Sequence, residues 1–399
     1  MTSYVLVLNC GSSSLKGAVI NHQTGEVKLN CIAEKLNSSD AHITFKYNEE
    51  KETEDLQEKP NHVGAIEAMM RQLKNLHLHQ DIQAVGHRVV HGGEIYRESV
   101  IIDEDVFINI QKCIMLAPLH NPAHLIGISA AQSVFYDVPH VAVFDTAFHQ
   151  TMPKKAYIYG LPYDLYQKHG LRRYGMHGTS YCYVAKEAAR LLNRPEKGLA
   201  LVIAHLGNGA SISAVVDGKS RDTSMGLTPL EGLMMGTRSG DIDPSIFSFL
   251  HEQEGWSLTE ITAMLNHKSG LLGVSGVSND CRTIEAEALS GNERAQLALD
   301  IFHYRVAKYV AAMTVAAGRL DALVFTGGIG ENSKTSRAKI VGQLGFLGLQ
   351  IDDQLNAEAR FGQAGIITKS YNPLAMVVPT NEELMIAKDT ARLAGLTSA

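Results

Sequence analysis

The sequence has few cysteines and no excess of positive charge. Its five cysteines among 399 residues include no C-x-x-C pair, and this scatter favours reduced thiols over a disulfide framework. The net charge is -6, so the chain offers no general basic surface to a nucleic acid. No apolar run approaches the length of a membrane span. These absences disfavour a disulfide-stabilised secreted domain, a nucleic-acid-binding protein and a membrane protein.

The N-terminal region has no basic segment before its first apolar run, residues 5–8. That run leads directly into a polar loop rich in Ser and Gly, and cleavage there would remove the loop. A secretory signal is therefore disfavoured, and we expect a cytoplasmic protein.

Two common nucleotide-binding motifs are also missing. The chain has neither G-x-x-x-x-G-K-[ST] nor a strand–G-x-G-x-x-G–helix unit with a downstream acid, which argues against P-loop and Rossmann folds. Residues 5–8 lead instead into the loop 9–14, with Lys16 just beyond it. Gly allows close backbone approach, Ser supplies hydroxyl donors and Lys16 adds a cation, so this loop suits a phosphate.

A similar strand–loop–strand pattern recurs at residues 199–216, half a chain later. The recurrence indicates a duplicated architecture that holds a polyphosphate between its halves. A third apolar strand, 322–326, is followed by glycines and polar residues. Such residues suit the start of a helix whose N-terminus binds an anion. Taken singly, each of the first two loops is more typical of an ordinary hairpin with a Gly-rich turn, and the third segment shifts the balance towards phosphate binding.

Strands and helices alternate along the chain, and 399 residues with 45% hydrophobic content suffice for two cores. Asn121-Pro122 is typical of an N-cap followed by Pro at the first helical position. The hydrophilic segment 46–61 reads as an exposed connection or an edge hairpin. The predicted strands are 4–10, 15–20, 84–90, 140–145, 200–206, 211–216 and 322–326. The predicted helices are 61–75, 121–135, 181–193, 244–254, 292–318 and 381–395.

Six motifs, in this order, resemble those of the acetate kinase family. They are N-C-G-S-S-S at 9–14, G-H-R-V-V-H-G-G at 86–93, A-P-L-H-N-P at 117–122, V-F-D-T-A-F-H at 143–149, M-G-T-R-S-G-D at 235–241 and P-T-N-E-E at 379–383. The resemblance spans nearly the whole chain. It implies an α/β fold of two RNase H-like domains, as in actin-like ATPases, with a nucleotide cleft between them. The N-terminal domain would be 1–150 joined by the C-terminal helix, about 382–399, and 151–381 would bind nucleotide and carry the dimer contact.

The resemblance also implies the reaction. It predicts an ATP:acetate phosphotransferase that makes acetyl phosphate and ADP reversibly by direct in-line transfer, which would link it to acetyl-CoA biosynthesis. Mg²⁺, with Mn²⁺ as a substitute, and ATP or ADP would be the cofactor and co-substrates, and the protein would be a homodimer. A propionate kinase of the same family is a close alternative, because one methylene in an apolar pocket discriminates by only about 1–3 kcal/mol. From another class, a chaperone-like or actin-like ATPase would hydrolyse ATP without a carboxylate substrate.

Phosphoryl transfer to a carboxylate needs cations around the moving group and in-line placement of the acceptor. Arg88 and Arg238 both lie among small residues, so each guanidinium fork can reach a carboxylate or a phosphoryl group. Structural salt bridges are the alternative reading of each. Asp145 follows an apolar strand, whose end can present a carboxylate to a cleft. By resemblance, Arg88 binds the carboxylate substrate, Arg238 stabilises the transition state and His177 donates to phosphoryl oxygens. Asp145 either acts as acid or base or orients an arginine or Mg²⁺-bound water.

The remaining site residues come from the resemblance alone. The acyl pocket is assigned to Val90, Leu119, Met176 and Pro229, and Mg²⁺ to Asn9 and Glu382. The nucleotide is assigned to Ser12, Ser14, Lys16, His205, Leu206, Gly207, Asn208, Gly209, Asp280, Cys281, Arg282, Gly328, Ile329, Gly330, Glu331 and Asn332. For Arg282, an ion pair with Glu285 or Glu287 is the alternative.

The chain departs from the family pattern at two positions. Tyr181 stands where the family often has a second histidine, and we expect it to make a structural contact. Met176 stands where an aromatic residue is common, beside the acyl pocket.

Overall fold

The computed structural model describes residues 3–118 and 120–397, and within them the chain is α/β. Contacts divide the chain into unit 1, Met1–Phe148 with Asn381–Ala399, and unit 2, His149–Thr380. The strands are β1 (Tyr4–Cys10), β2 (Leu15–Asn21), β3 (Val27–Glu34), β4 (His42–Tyr47), β5 (Glu50–Asp55), β6 (Ile82–Val89), β7 (Val100–Ile101), β8 (His140–Phe144), β9 (Ala200–Leu206), β10 (Ala210–Val216), β11 (Lys219–Thr223), β12 (Ala322–Thr326), β13 (Gly365–Ile366) and β14 (Leu374–Val377).

The helices range from single turns to seven turns. They are α1 (His62–Asn75), α2 (Glu104–Lys112), α3 (Asn121–Val134), α4 (Lys154–Tyr157), α5 (Tyr163–His169), α6 (Gly178–Leu191), α7 (Ser245–Glu254), α8 (Leu258–His267), α9 (Gly270–Ser275), α10 (Cys281–Leu289), α11 (Glu293–Ala317), α12 (Gly327–Asn332), α13 (Lys334–Gly342), α14 (Asp353–Glu358) and α15 (Glu382–Leu393). No helix in this part of the chain is long and apolar enough to cross a membrane.

Unit 1 is built on a sheet with the strand order β5-β4-β3-β2-β1-β6-β8-β7. Strands β1, β2 and β3 pair antiparallel, whereas β1, β6 and β8 run parallel. Alternate residues of β1 face opposite sides of the sheet. Leu6 and Leu8 pack in the cluster that includes α1 and α3, and Val5 and Val7 pack with α15. Because β1 is buried on both faces, its sequence is a continuous apolar run.

Helix α15 lies close to β6 because position 86 has no side chain. A Cβ at Gly86 would lie 2.3 Å from the Thr390 Oγ1 and 2.8 Å from the Ile386 Cγ2. The glycine therefore permits the approach that places the first turn of α15 near the end of β6.

Unit 2 repeats this plan. Its sheet has the order β11-β10-β9-β12-β14-β13, with β9, β10 and β11 antiparallel and β9, β12 and β14 parallel. In both sheets a three-strand antiparallel meander is extended by two parallel strands, which is the RNase H-like arrangement. The predicted fold class and internal duplication are confirmed.

Every strand and helix predicted from the sequence is present, with ends shifted by at most three residues. The edge-hairpin reading of residues 46–61 is correct for its first part, where β4 and β5 pair around Asn48 and Glu49. Both turn residues have positive φ, 48° and 69°, as a tight two-residue hairpin requires. The sequence analysis missed strands β3, β7, β11, β13 and β14, helix α2 of unit 1, and the shorter helices of unit 2.

The predicted N-cap role of Asn121 is wrong. Helix α3 begins at Asn121 itself, with His120 as the preceding residue, and Pro122 lies in the first turn. The Asn121 side chain accepts from the His91 backbone N–H at 3.3 Å and donates to the His91 carbonyl at 3.0 Å. Asn121 therefore fastens the start of α3 to the segment that follows β6. The prediction of free thiols is confirmed, because none of the five cysteines forms a disulfide.

Candidate active site

In unit 1, the predicted site residues follow the carboxyl ends of neighbouring parallel strands. Asn9 lies near the end of β1, Arg88 near the end of β6, and Asp145 directly after β8. Carboxyl ends of parallel strands meet at one edge of a sheet, which is where ligands of such folds bind. The strand pairing therefore brings residues from three separate motifs to one edge.

The loop after β1 is exposed and held by backbone contacts. The Gly11 N–H donates to the Ser14 carbonyl at 2.8 Å, and the His62 ring donates to the Gly11 carbonyl at 2.7 Å. Ser12 and the Lys16 side chain are exposed, so both are accessible to an anion. This is a backbone turn with hydroxyls and one cation available, as the sequence predicted.

Arg88 and Asp145 form a bidentate ion pair. The Arg88 Nε lies 3.3 and 3.2 Å from the two Asp145 carboxylate oxygens, and its Nη2 lies 2.7 Å from Oδ2. The Asp145 side chain is 0% exposed and that of Arg88 is 24% exposed. The Asp145 carboxylate raises the pKa of Arg88 above its ordinary value. Arg88 is therefore a fixed cation with one side open.

Glu382 completes the charged group in unit 1. It is the first residue of α15, and the Asn381 side chain caps this helix by accepting from the Leu384 N–H at 2.9 Å. Burial raises the pKa of Glu382, and the Asp145 carboxylate adds to the increase, whereas Arg88 and Lys16 oppose it. The Glu382 carboxylate thus lies near the Asp145 carboxylate and near the two cations Arg88 and Lys16.

The acyl-pocket residues of unit 1 are incompletely described. Val90 is buried, at 4% exposure, directly after β6. Leu119, which the sequence also assigned to this pocket, lies outside the described residues.

In unit 2, His177 is held in an uncommon conformation. It precedes α6 with φ 61°, in the left-handed region. Its Nδ1 lies 2.8 Å from the Ser211 Oγ, and its ring stacks on His205 with 4.2 Å between centroids. Ser180 in turn contacts the His205 Nδ1 at 2.9 Å. These contacts together restrict the His177 ring.

Arg238 lies beside His177 and the turn after β9. A Cβ at Gly209 would lie 3.5 Å from the Arg238 Nη1 and 3.7 Å from the His177 Nε2. Arg238 also donates to the Pro229 carbonyl at 3.3 Å, and burial lowers its pKa. The structure thus brings two predicted catalytic residues to the predicted phosphate turn. Met176 is 3% exposed and adjoins His177 in the chain.

A cavity of about 650 Å³ lies next to this turn. It is formed by the turn after β9, the start of α10 and the start of α12. Its lining includes eight residues predicted to bind nucleotide: Gly207, Asn208, Asp280, Cys281, Arg282, Gly328, Ile329 and Asn332. The volume and the exposed Asn and Arg side chains suit a nucleoside.

Arg282 pairs with neither of the glutamates considered from the sequence. Its Nη2 lies 2.6 Å from the Asp280 Oδ2 and its Nε 3.1 Å from Oδ1. The Arg282 side chain is 89% exposed, so this pair contributes little to stability and leaves the guanidinium plane available.

Two of the predicted nucleotide residues support the backbone instead of lining the cavity. The Glu331 carboxylate accepts from the Gly327 N–H at 2.9 Å and from the Thr380 N–H at 3.1 Å. The Gly330 carbonyl accepts from the Arg337 Nη1 at 3.0 Å. Both contacts stabilise the turn from β12 into α12.

Sequence reasoning missed four residues that line the cavity: Asn279, Glu285, Ser333 and Phe361. Asn279 donates to the Asn208 Oδ1 at 2.9 Å and so joins two walls. Asn279 and Ser333 adjoin predicted residues, and this adjacency was an available signal. Phe361 gave no signal, because it enters the cavity from a distant loop.

Tyr181 makes the structural contact predicted for it. It is 0% exposed, and its hydroxyl bonds to Ser211, the residue that also contacts His177. A metal site is not evident from side chains alone, since the described residues contain no group of three or more His, Cys, Asp and Glu side chains suited to an ion.

Comparisons with known proteins identify the family of the chain. A model of the acetokinase family matches residues 4–388. The chain is 64% identical to acetate kinase 1 of Neisseria meningitidis serogroup A, covering 98% of this chain and 99% of that protein. It is 57% identical to the acetate kinase of Chromobacterium violaceum, with 100% of both covered.

Solved structures agree over nearly the full length. A propionate kinase from Francisella tularensis has a TM-score of 0.93 at 49% identity, with 98% of this chain and 100% of that chain covered. The acetate kinase of Porphyromonas gingivalis has a TM-score of 0.93 at 46% identity, with 98% and 99% covered.

Proposed function

This chain belongs to the acetokinase family, and from that premise we propose that it transfers a phosphoryl group reversibly from ATP to acetate. In the forward direction a carboxylate oxygen of acetate forms a bond to the γ-phosphorus, the bond to the bridging oxygen breaks, and ADP leaves with the electron pair. The observation that carries the proposal in the structure is the meeting of Arg238 and the His177 Nε2 at the Gly209 turn. Two donors aimed at one phosphate turn suit the charge of a transferring phosphoryl group.

Arg88 binds the carboxylate of the substrate in this proposal. Its bidentate pair with Asp145 uses the Nε and Nη2 side of the fork, and its other side remains for a ligand. Acetate is already ionised at neutral pH, so the reaction needs no general base. Asp145 therefore serves by orienting Arg88. Val90, Leu119, Met176 and Pro229 would surround the methyl group.

Arg238 and His177 donate to oxygens of the moving phosphoryl group. Donors that are already in place before the reaction stabilise the transition state more than donors that must first be reoriented. Ser12, Ser14 and Lys16 in unit 1, and the turn from His205 to Gly209 in unit 2, would bind phosphates. The cavity beside α10 would take the adenosine.

Asn9 and Glu382 would hold Mg²⁺, or Mn²⁺ in its place. Both offer oxygen atoms, which Mg²⁺ prefers, and it usually keeps several waters on few protein ligands. The burial that raises the pKa of Glu382, together with the nearby Asp145 carboxylate, makes a divalent cation favourable there. When bound, the ion would neutralise charge on the nucleotide phosphates.

The domain organisation and setting are part of the same proposal. Residues 1–150 with the C-terminal helix, about 382–399, would form one RNase H-like domain, and 151–381 the nucleotide-binding and dimerisation domain. The division into units at Phe148 and Asn381 supports these boundaries. The protein would be a cytoplasmic homodimer, in keeping with its free thiols.

Hydroxylamine trapping tests the proposal directly. The protein is incubated with MgATP, hydroxylamine and acetate, propionate or butyrate, and the acyl hydroxamate is measured. We expect hydroxamate with acetate, and values of kcat/KM in the order acetate, propionate, butyrate. ADP release without any hydroxamate would identify an ATPase of another class. A higher kcat/KM for propionate would identify a propionate kinase.

A further inference from the structure

A chain of buried hydroxyl groups leads from Tyr181 to His177 in unit 2. The Tyr181 hydroxyl bonds to the Ser211 Oγ, and the same Oγ lies 2.8 Å from the His177 Nδ1. Tyr181 and Ser211 are both 0% exposed. Buried hydroxyl groups are costly unless they are hydrogen-bonded, so this connection is a defined part of the fold.

We propose that Tyr181 and Ser211 are positioning residues that keep the proton of the neutral His177 ring on Nε2. The inference rests on the phosphoryl-donor role proposed above for His177. Neither Tyr181 nor Ser211 needs to touch a substrate for this role.

The proposal requires one particular direction of the hydrogen bonds. Burial raises the pKa of the Tyr181 phenol, so it remains a protonated donor. Its hydroxyl bonds to Thr223 as well as to Ser211. In the proposed arrangement Tyr181 donates to Ser211, and Ser211 donates to the His177 Nδ1, which accepts. A neutral imidazole with an accepting Nδ1 carries its hydrogen on Nε2. Nε2 is the atom that faces the Gly209 turn, where a phosphate oxygen needs a donor.

The backbone at His177 makes the orientation depend on these contacts. Its left-handed conformation gives the side chain an unusual exit direction, and the His205 ring covers one face. Ser211 lies opposite His205 in the register of β10 and β9, so one strand pair carries both restraints. A substitution at Ser211 or Tyr181 should therefore change the orientation of the His177 ring, although His177 itself is retained.

The test compares Tyr181→Phe and Ser211→Ala with Tyr96→Phe. Tyr96 is a matched control in unit 1, because it is buried and its hydroxyl accepts a hydrogen bond from the Asn109 side chain at 3.2 Å. Tyr181→Phe should lower kcat about twofold to twelvefold, the effect of one hydrogen bond, with little change in KM for ATP or acetate. Ser211→Ala should lower kcat further, and Tyr96→Phe should leave it unchanged.

A second background shows whether the effect passes through His177. Asn tolerates the left-handed region, so His177→Asn keeps the backbone. In His177→Asn, the change Tyr181→Phe should have no further effect on kcat, because coupled residues are not additive. An equal fall in both backgrounds would overturn the inference.

A direct measurement completes the test. With ¹⁵N-labelled histidine rings, the His177 signals are those lost in His177→Asn, and their chemical shifts report which nitrogen carries the proton. We expect Nε2–H in the wild type and a mixture in Tyr181→Phe. Unchanged shifts would overturn the inference. If His177→Asn retains full activity, the proposed role of His177 fails, and the ring shifts still decide whether Tyr181 positions it.

Discussion

The Arg88 guanidinium donates hydrogen bonds from its Nε and Nη2 to the buried Asp145 carboxylate, and the shortest of these is 2.7 Å long. Arg88 lies in β6, and Asp145 directly follows β8, the neighbouring parallel strand. The carboxylate is fully enclosed, while part of the guanidinium is exposed. Asp145 thus compensates the buried side of Arg88 and orients its open side.

Asp145→Asn should lower both substrate affinity and stability. The amide keeps the size of the side chain but loses the charge, and breaking a buried pair costs about 3–5 kcal/mol. Because Arg88 is partly exposed, we expect the lower end of that range in urea unfolding, together with a raised KM for acetate. Glu67→Gln, which breaks the exposed pair with Lys59, is the control and should cost under about 1 kcal/mol. An unchanged KM for acetate would contradict the orienting role.

Arg238→Lys should depress kcat far more than it raises KM for ATP. Lysine keeps the charge but loses the planar fork, so a contact made in the transition state is lost while ground-state binding survives. The loss of one such donor is expected to cost about 10²–10³ in rate. Steady-state kinetics of this variant are compared with Arg190→Lys, which alters an exposed pair with Glu187. A kcat near the wild-type value in Arg238→Lys would refute the assignment.

Asn9→Ala and Glu382→Ala should raise the Mg²⁺ concentration required for half-maximal rate. Each removes an oxygen that we propose as a ligand of the metal–nucleotide complex, and neither lies in the apolar core. Glu383→Ala is the control, since it removes a carboxylate one residue further along the same helical turn. If the circular dichroism is native and the Mg²⁺ dependence of the two variants is unchanged, both residues are structural.

Val90→Ala should raise the propionate-to-acetate ratio of kcat/KM. The enlarged pocket accommodates one more methylene, and acetate loses contact area worth roughly 1 kcal/mol. Met176 can repack around the longer chain because its side chain is unbranched and flexible. Val89→Ala is the control, because Val89 packs in the cluster with Tyr96. KM for ATP should not change, and an unaltered ratio would remove Val90 from the acyl pocket.

The free energy of unfolding should fall as the pH drops from 7 to 5. Burial lowers the pKa of His124 to about 3 and that of His303 to about 4, and it lowers the pKa of His87 well below 6.5. Below about pH 6.5 the unfolded chain binds protons that the folded chain does not, so acid favours unfolding. Each such histidine should cost about 2 kcal/mol at pH 5.

His303→Gln isolates one of these contributions. Glutamine can keep the hydrogen bond to the Ser336 Oγ, which is 3.0 Å long, but it does not titrate. The difference in unfolding free energy between pH 7 and 5, measured with urea, should shrink by about 2 kcal/mol relative to the wild type. An equal difference in both proteins would show that His303 does not contribute.

The strands that proved easiest to predict are those buried on both faces. β1, β9 and β12 are almost wholly buried, so each reads as one apolar run. β3 was missed because it is not a continuous apolar run: its apolar and polar residues largely alternate, and its buried residues are spaced two apart. The Asn121 prediction failed for a different reason: its side chain bonds to a distant backbone segment that no local pattern can show.

The sequence by itself determined the order of the longer buried strands and helices, the duplicated plan and the identity of the charged side chains, because periodicity and motif spacing are local properties of the chain. Only the tertiary structure decided which of those groups meet. The pairing of β6 with β8 joins Arg88 to Asp145, and the pairing of β9 with β10 places Ser211 between Tyr181 and His177. Such contacts depend on strand register and on packing between distant segments. Register and packing are set by the burial of whole faces of the sheets and helices, and not by the residues that adjoin each side chain in the sequence.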